Sequence, residues 1–142
     1  MLFVFLNDIT TIGPSAFSGC NELHSIIIPN SVTCIEQSAF SGCNLSSLVI
    51  PNSVTCIEQF AFSRCNLTSL VIPNSVITIG QYAFEKCKLS SLSIPNSVRE
   101  IGYGAFDGCI LDQIRIPSHT KLYSSDGLQK VFPSKVKIIS VH

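Results

Sequence analysis

The chain has 142 residues, of which 46% are hydrophobic and 13% charged, so it can form a continuous core and is too apolar for a disordered protein. Lys and Arg together number 9, as do Asp and Glu, so the net charge is zero. The chain therefore lacks the excess of basic residues that is typical of a nucleic-acid binder. The longest apolar run, Met1 to Leu6, is far below the roughly 18 residues of a membrane-spanning helix and lacks the basic start of a secretory signal.

One unit of 22 residues fills most of the chain. Prolines recur with this period, and phenylalanines follow in step; the positions are Pro29, Pro51, Pro73, Pro95, Pro117, Phe40, Phe62, Phe84 and Phe106. A fixed period of this length is typical of a solenoid. We therefore expect a single repeat array over residues 1–117, with a partial first repeat, and a C-terminal cap over residues 118–142.

Each unit contains three short segments. Leu45 to Ile50 is rich in apolar residues and ends at Pro51, which predicts a strand that the proline terminates. Val54 to Ile57 predicts a second short extended piece. Glu58 to Ser63, with its Ala-Phe pair, predicts one helical or 3-10 turn. The fold prediction is a solenoid of stacked short parallel strands with one such turn in each repeat.

The two ends of the chain differ. Phe3, Val4 and Phe5 fall in the strand position of the first repeat, where an open strand edge favours self-association. After Pro117 the Ala-Phe pattern stops, which is typical of a terminal cap. We expect a short helix there, with Ser124 or Ser125 as N-cap, followed by a last strand over residues 136–141.

The repeated pattern Ile-Pro-x-Ser-Val-x-x-Ile-x-x-x-Ala-Phe-x-x-Cys resembles the BspA-like leucine-rich repeats of bacterial and protist surface proteins. The resemblance covers residues 1–117, and the stretch from Ile116 to Tyr123 is similar to the family's usual capping sequence. It implies a right-handed parallel solenoid with a non-enzymatic binding role, often adhesion, at the cell surface or in a secreted protein.

Five of the seven cysteines share one repeat position; they are Cys20, Cys43, Cys65, Cys87 and Cys109. Neighbouring repeats would place them about 4.8 Å apart, within the Cα range of disulfides. Because stacked side chains point the same way beside Phe, we interpret this set as reduced, buried thiols. Cys34 and Cys56 form a second, shorter column, and an odd total prevents complete internal pairing.

No catalytic, cofactor-binding or metal-binding residue is predicted. His24, His119 and His142 lie in different segments, so no histidine is placed to activate a cysteine nucleophile. The cysteines follow the repeat rather than a Cys-x-x-Cys spacing, and no histidine is adjacent, which argues against zinc.

The candidate partner-binding face is formed by strand residues that flank the second leucine of each unit, because these side chains point away from the core. The candidate residues are Ile27, Ser47, Val49, Ser69, Val71, Ser91, Ser93, Gln113 and Arg115. An exposed apolar line can mark a partner site, but valine also favours strands without any partner, and both interpretations remain open. A second exposed set, Phe60, Tyr82 and Tyr103, is an alternative anchor.

The function hypothesis is a non-enzymatic module that binds a protein, including a host or cell-surface protein, through this face. The first alternative is a structural spacer within a longer repeat protein. A cysteine-dependent enzyme is a remote third hypothesis.

Overall fold

The computed structural model describes residues 2–4, 8–122 and 131–142, which form short strands stacked as turns of one solenoid. We call each turn of the solenoid a rung. The strands are β1 Leu2–Val4, β2 Thr11–Ile12, β3 Ser25–Ile27, β4 Cys34–Ile35, β5 Cys56–Ile57, β6 Thr78–Ile79, β7 Ser91–Ser93, β8 Glu100–Ile101, β9 Gln113–Pro117, β10 Lys121–Leu122 and β11 Lys137–Val141.

One side of the solenoid carries a continuous parallel sheet. Its six strands lie in the order β10-β8-β6-β5-β4-β2, one from each successive rung. Equivalent repeat positions pair directly, as in Ile35 with Ile57 and Ile57 with Ile79. The predicted stacking of parallel strands is therefore confirmed, and the second extended piece of each unit forms the continuous ladder.

The opposite side carries an interrupted ladder. Here β1 pairs with β3, and β7, β9 and β11 pair in the order β11-β9-β7. Between them, residues 47–49 and 69–71 are not strands, and no ladder hydrogen bond to the amide of Val49 or Val71 is found in the described part of the chain. The prediction of a strand over Leu45 to Ile50 is therefore wrong for this rung. The rungs are already held together by the opposite sheet and the core, so this side does not need a complete ladder.

The predicted helical or 3-10 turn is also wrong. Residues 36–43 instead form three overlapping four-residue turns, with hydrogen bonds such as Ser41 N to Ser38 O at 3.1 Å. Ser38 (φ 57°) and Gly42 (φ 72°) have left-handed backbone conformations, which a right-handed helix cannot contain. As a result, the amides alternate: every second one donates within a turn, and the others donate to the next rung, as Phe40 N does to Ala61 O at 2.8 Å.

The core runs along the solenoid axis between the two sides. The rings of Phe17, Phe40, Phe62, Phe84 and Phe106 stack in one column with centroids 5.3 to 5.5 Å apart, as predicted. Phe132 continues the column at 5.6 Å from Phe106, and Phe106 N donates to Val131 O at 3.0 Å. The C-terminal segment therefore supplies its own Phe to the spine, although it lacks the repeat pattern.

The C-terminal segment extends both sides of the solenoid. β10 adds to the continuous sheet and β11 adds to β9, which confirms the predicted last strand. The predicted short helix near Ser124 and Ser125 lies outside the described residues. In the described ranges, no helix has the length and apolar character needed to cross a bilayer.

Candidate functional site

The candidate partner-binding face lies on the side with the interrupted ladder. Ile27, Val49 and Val71, which we call the apolar row, are 55%, 80% and 81% exposed. The residues of the face on either side of the row are exposed as well; they are Ser47, Ser69, Ser91, Ser93, Gln113 and Arg115. All nine candidate residues therefore point to solvent, including those at residues 47–49 and 69–71, which form no strand.

Shallow grooves run along this face in the described part of the chain, and two of them contain most of its candidate residues. The larger, of about 620 Å³, lies between residues 25–30 and 47–52, where the ladder is interrupted, and contains Ile27, Ser47 and Val49. The smaller, of about 270 Å³, is lined by Ser91, Ser93, Gln113 and Arg115. Ser69 and Val71 lie in the rung between them. The face is thus apolar at one end and carries a positive charge at the other.

The alternative aromatic anchor is a ladder of side chains on the turns. The rings of Phe60 and Tyr82 stack at 5.1 Å with an interplanar angle of 4°, and Tyr103 meets Tyr82 edge-on at 5.4 Å. Contrary to the expectation of an exposed set, all three aromatic side chains are half-buried, whereas Val49 and Val71 are almost fully exposed. This set is less suited to docking than the apolar row.

Four cysteines of the main column are buried and hydrogen-bonded, whereas Cys20, in the first rung, is half-buried, so the expected burial is wrong for that residue. The thiol of Cys65 donates to Phe40 O and that of Cys87 donates to Phe62 O, both at 3.1 Å. Cys43 and Cys109 make the equivalent bond to Phe17 O and Phe84 O. Each of these thiols therefore links its rung by a hydrogen bond to the backbone carbonyl oxygen of the Phe in the preceding rung.

Burial sets the chemistry of these thiols. Desolvation raises the pKa of Cys43 to about 11 and the pKa values of Cys65 and Cys109 to about 12. It raises the pKa of Cys87 as well. Because the thiolate is the nucleophile, these groups are inert near neutral pH. The interpretation of this column as small hydrophobic side chains agrees with this geometry.

The second cysteine column has the opposite character. Cys34 and Cys56 form a disulfide between β4 and β5, with Cα atoms 5.0 Å apart, and both are half-buried. Glu58 Oε1 lies 3.8 Å from Cys34 Sγ. Among the described residues, these three side chains form a group whose potential ligand atoms all lie within 4.8 Å of one another.

Sequence reasoning missed this cluster because it looked for a Cys-x-x-Cys spacing. The available signal was the triplet Cys-Ile-Glu, which occurs at residues 34–36 and again at 56–58, in adjacent repeats. In a solenoid, equivalent positions of adjacent repeats are spatial neighbours, so a spacing of 22 can bring two ligands together.

The three histidines remain apart from this cluster in sequence. His119 contacts Asn96 O through Nε2 at 2.9 Å, which ties the turn after β9 to the preceding rung. This contact is structural in character.

Comparison with known proteins is consistent with the solenoid. A family model described as a BspA type leucine rich repeat region matches residues 2–66 and 55–140, with six copies. A search of curated proteins found no match.

Solved structures match as well. A leucine-rich repeat protein of T. pallidum is 35% identical over 81% of this chain, with a TM-score of 0.77. One from Bacteroides ovatus is 24% identical over 98% of the chain, with a TM-score of 0.62. The pneumococcal vaccine antigen PcpA is 22% identical over 96% of the chain, with a TM-score of 0.78. The chain spans 58%, 51% and 38% of these three proteins, respectively.

Proposed function

We propose that this chain, which belongs to the BspA-type leucine-rich repeat family, is a non-enzymatic module that binds a protein partner through the apolar row. The observation that carries the proposal is the exposure of Val49 and Val71, which are 80% and 81% accessible beside a groove of about 620 Å³. Leaving such side chains in water forgoes the free energy of burying them, so an exposed apolar row bordered by polar residues is typical of an interaction site.

The chemistry of the face indicates the kind of surface it would bind. The apolar row supplies the area for hydrophobic contact, and the neighbouring serines supply hydroxyl groups that can both donate and accept hydrogen bonds. Arg115 adds a positive charge at the far end of the face. We therefore expect an extended protein surface with small apolar side chains along most of its length and a carboxylate near Arg115.

The remaining reactive groups favour binding over catalysis. The four buried thiols of the main column have raised pKa values, and the half-buried Cys34 and Cys56 are joined as a disulfide. Disulfides persist in oxidising surroundings, which supports a location at the cell surface or outside the cell. Family membership supports the same location.

The binding test compares the wild-type array with the double variant Val49→Asp/Val71→Asp. The array is immobilised, and its affinity for purified candidate surface proteins is measured. Loss of one hot-spot contact costs about 2 kcal/mol or more, so a double variant that loses at least one such contact should bind at least about 30-fold more weakly. The salt dependence of the wild-type interaction should be small, because the face carries little charge.

The matched control is Ile77→Asp/Ile110→Asp. These side chains are also exposed, at 46% and 64%, but they lie outside the candidate face. The control should bind as the wild type does, and circular dichroism should show that both double variants are folded. Equal binding by the wild type and the Val49/Val71 variant would overturn the proposal. Loss of binding in both double variants would show a non-specific effect of added charge.

A further inference from the structure

A second site lies on the continuous sheet, on the other side of the solenoid from the apolar row. Cys34 and Cys56 are direct register partners in β4 and β5. The residue after each cysteine is a core isoleucine, Ile35 or Ile57, which is almost completely buried. Because side chains alternate along a strand, both cysteines and the glutamates two positions later point outward.

The result is a two-by-two array of sulfur and carboxylate groups on adjacent rungs. Cys34 and Glu36 lie on one rung, and Cys56 and Glu58 lie on the next. The rungs on either side carry Gly13 and Gly80 at the position of the glutamates, so no side chain from that position covers the array. A groove of about 330 Å³ also borders Glu58, above Gly80 and Gly102. The array is open to an ion from solvent.

We propose that the reduced form of this array binds a thiophilic divalent cation such as Zn²⁺, with Cys34, Cys56 and Glu58 as ligands. Zn²⁺ holds thiolate sulfur at about 2.3 Å and carboxylate oxygen at about 2.0–2.2 Å in a tetrahedral shell, so neighbouring ligand atoms lie about 3.5–3.8 Å apart. In the oxidised form all three potential ligand atoms lie within 4.8 Å of one another, so the reduced thiols and the carboxylate need only small movements to reach this spacing. A water molecule completes the four-coordinate shell that this ion prefers.

Oxidation controls access to the site. In the disulfide the two sulfur atoms are bonded to each other and provide no thiolate. An external dithiol opens it by exchange: one thiolate attacks a sulfur of the Cys34–Cys56 bond, forms a mixed disulfide and releases the other cysteine. The second thiol of the dithiol then displaces the remaining cysteine. Two electrons and two protons pass to the pair, and the dithiol becomes a disulfide. Zn²⁺ then replaces the two thiol protons.

The four buried cysteines do not compete for the ion, and the half-buried Cys20 is tested by substitution below. The thiols of Cys43, Cys65, Cys87 and Cys109 are buried, and each donates its hydrogen bond to a backbone carbonyl oxygen. A metal ion would have to enter the Phe spine to reach them. The site is also independent of the proposed protein-binding face, since it lies on the other sheet.

The test measures binding of Co²⁺, a coloured stand-in for Zn²⁺, to the chain before and after reduction. After treatment with a dithiol and its removal, the reduced wild type should bind one Co²⁺ and show the visible absorption of a tetrahedral thiolate complex. Zn²⁺ should displace it. The oxidised wild type should show neither signal. Equal Co²⁺ binding by both forms, or no binding by the reduced form, would overturn the proposal.

Variants locate the ion. Cys34→Thr/Cys56→Thr uses the residue that the next rung carries at this position, Thr78, and should abolish binding while the far-ultraviolet circular dichroism is unchanged. Glu58→Gln should weaken binding about tenfold or more, since even outer-shell changes cost about 10–100-fold. The control is Cys20→Ser, which removes a half-buried free thiol elsewhere and should bind as the wild type does.

Each variant has an opposing outcome. Binding retained by Cys34→Thr/Cys56→Thr, or lost in Cys20→Ser, would place the ion elsewhere and overturn the site. Unchanged affinity in Glu58→Gln would overturn the assignment of that ligand. If the double threonine variant does not fold, protection of Cys34 and Cys56 from alkylation by Zn²⁺ in the reduced wild type decides the question by mass spectrometry.

Discussion

The two sides of the solenoid are built from the same repeats, yet one carries an uninterrupted ladder and the other does not. On the continuous side, each rung from β2 to β10 donates to its neighbour, as Gly80 N does to Ile57 O at 2.7 Å. On the side of the apolar row, residues 47–49 and 69–71 belong to no strand. One complete ladder and a shared core are therefore sufficient to hold the rungs together.

Apolar side chains are buried in the core on the continuous side and exposed to solvent in the apolar row. Ile57, in the continuous sheet, is 1% exposed and packs in the core, whereas Val49 is 80% exposed. Burial of an aliphatic side chain contributes about 1.5–3 kcal/mol, and only the first residue obtains that contribution within this chain. The fold therefore depends on the apolar side chains of the continuous sheet, such as Ile57, and does not depend on the exposed side chains of the apolar row, such as Val49.

Hydrogen exchange gives the largest expected contrast between the sides. Amides of the ladders, such as Gly80 and Phe62, should open only on global unfolding, which costs about 5 kcal/mol or more. Amides of Val49 and Val71 should exchange with little protection. Ile94, on the same side as the apolar row, donates to Arg115 O at 2.9 Å and should be protected, which makes it the matched control. Equal protection of Val49 and Gly80 would show that the ladder closes on both sides in solution.

Alanine substitutions give the next largest contrast. Ile57→Ala removes buried methyl groups and leaves a cavity, so the free energy of unfolding should fall by about 2–5 kcal/mol. Val49→Ala should change it by less than about 0.5 kcal/mol. Urea unfolding of both variants measures the difference. A Val49→Ala variant as unstable as Ile57→Ala would mean that the apolar row supports the fold.

The smallest expected effect is a loss of stability at alkaline pH, which tests the burial of the cysteine thiols in the core between the two sides. Burial raises the pKa of Cys65 from 9.0 to about 12, so between these values the unfolded thiol loses its proton while the folded one keeps it. The stability that this thiol contributes is complete below about pH 9 and decreases as pH rises toward 12, by about 1.4 kcal/mol per pH unit.

The check is urea unfolding of the wild type and Cys65→Ala across this alkaline range. The variant lacks one buried thiol, so its stability should fall less steeply by about 1.4 kcal/mol per pH unit, although it is less stable at neutral pH. Lysine and tyrosine titration is common to both proteins and cancels in the difference. Parallel pH profiles would contradict the assignment of the slope to Cys65.

The cysteines show how far local sequence reasoning extends. The burial of Cys43, Cys65, Cys87 and Cys109 was predictable, because all share the repeat position beside Phe and a repeat places equivalent residues in equivalent surroundings. The register of Cys34 with Cys56 was predictable in the same way, but their disulfide was not, because it depends on the directions of the two side chains. The short distance between the Glu58 carboxylate and this pair also depends on how side chains of neighbouring rungs are directed.

The sequence by itself determined the period, the stacked parallel strands, the Phe spine and the outward direction of the nine candidate residues. These follow from spacing along the chain, since alternation and repetition are local rules. Only the tertiary structure decided which ladder is complete, that left-handed turns replace the expected helical turn, and that Phe132 ends the spine. Those outcomes depend on the distances between rungs, because a backbone hydrogen bond, a disulfide or a stacked ring requires two distant segments to meet within a few ångströms.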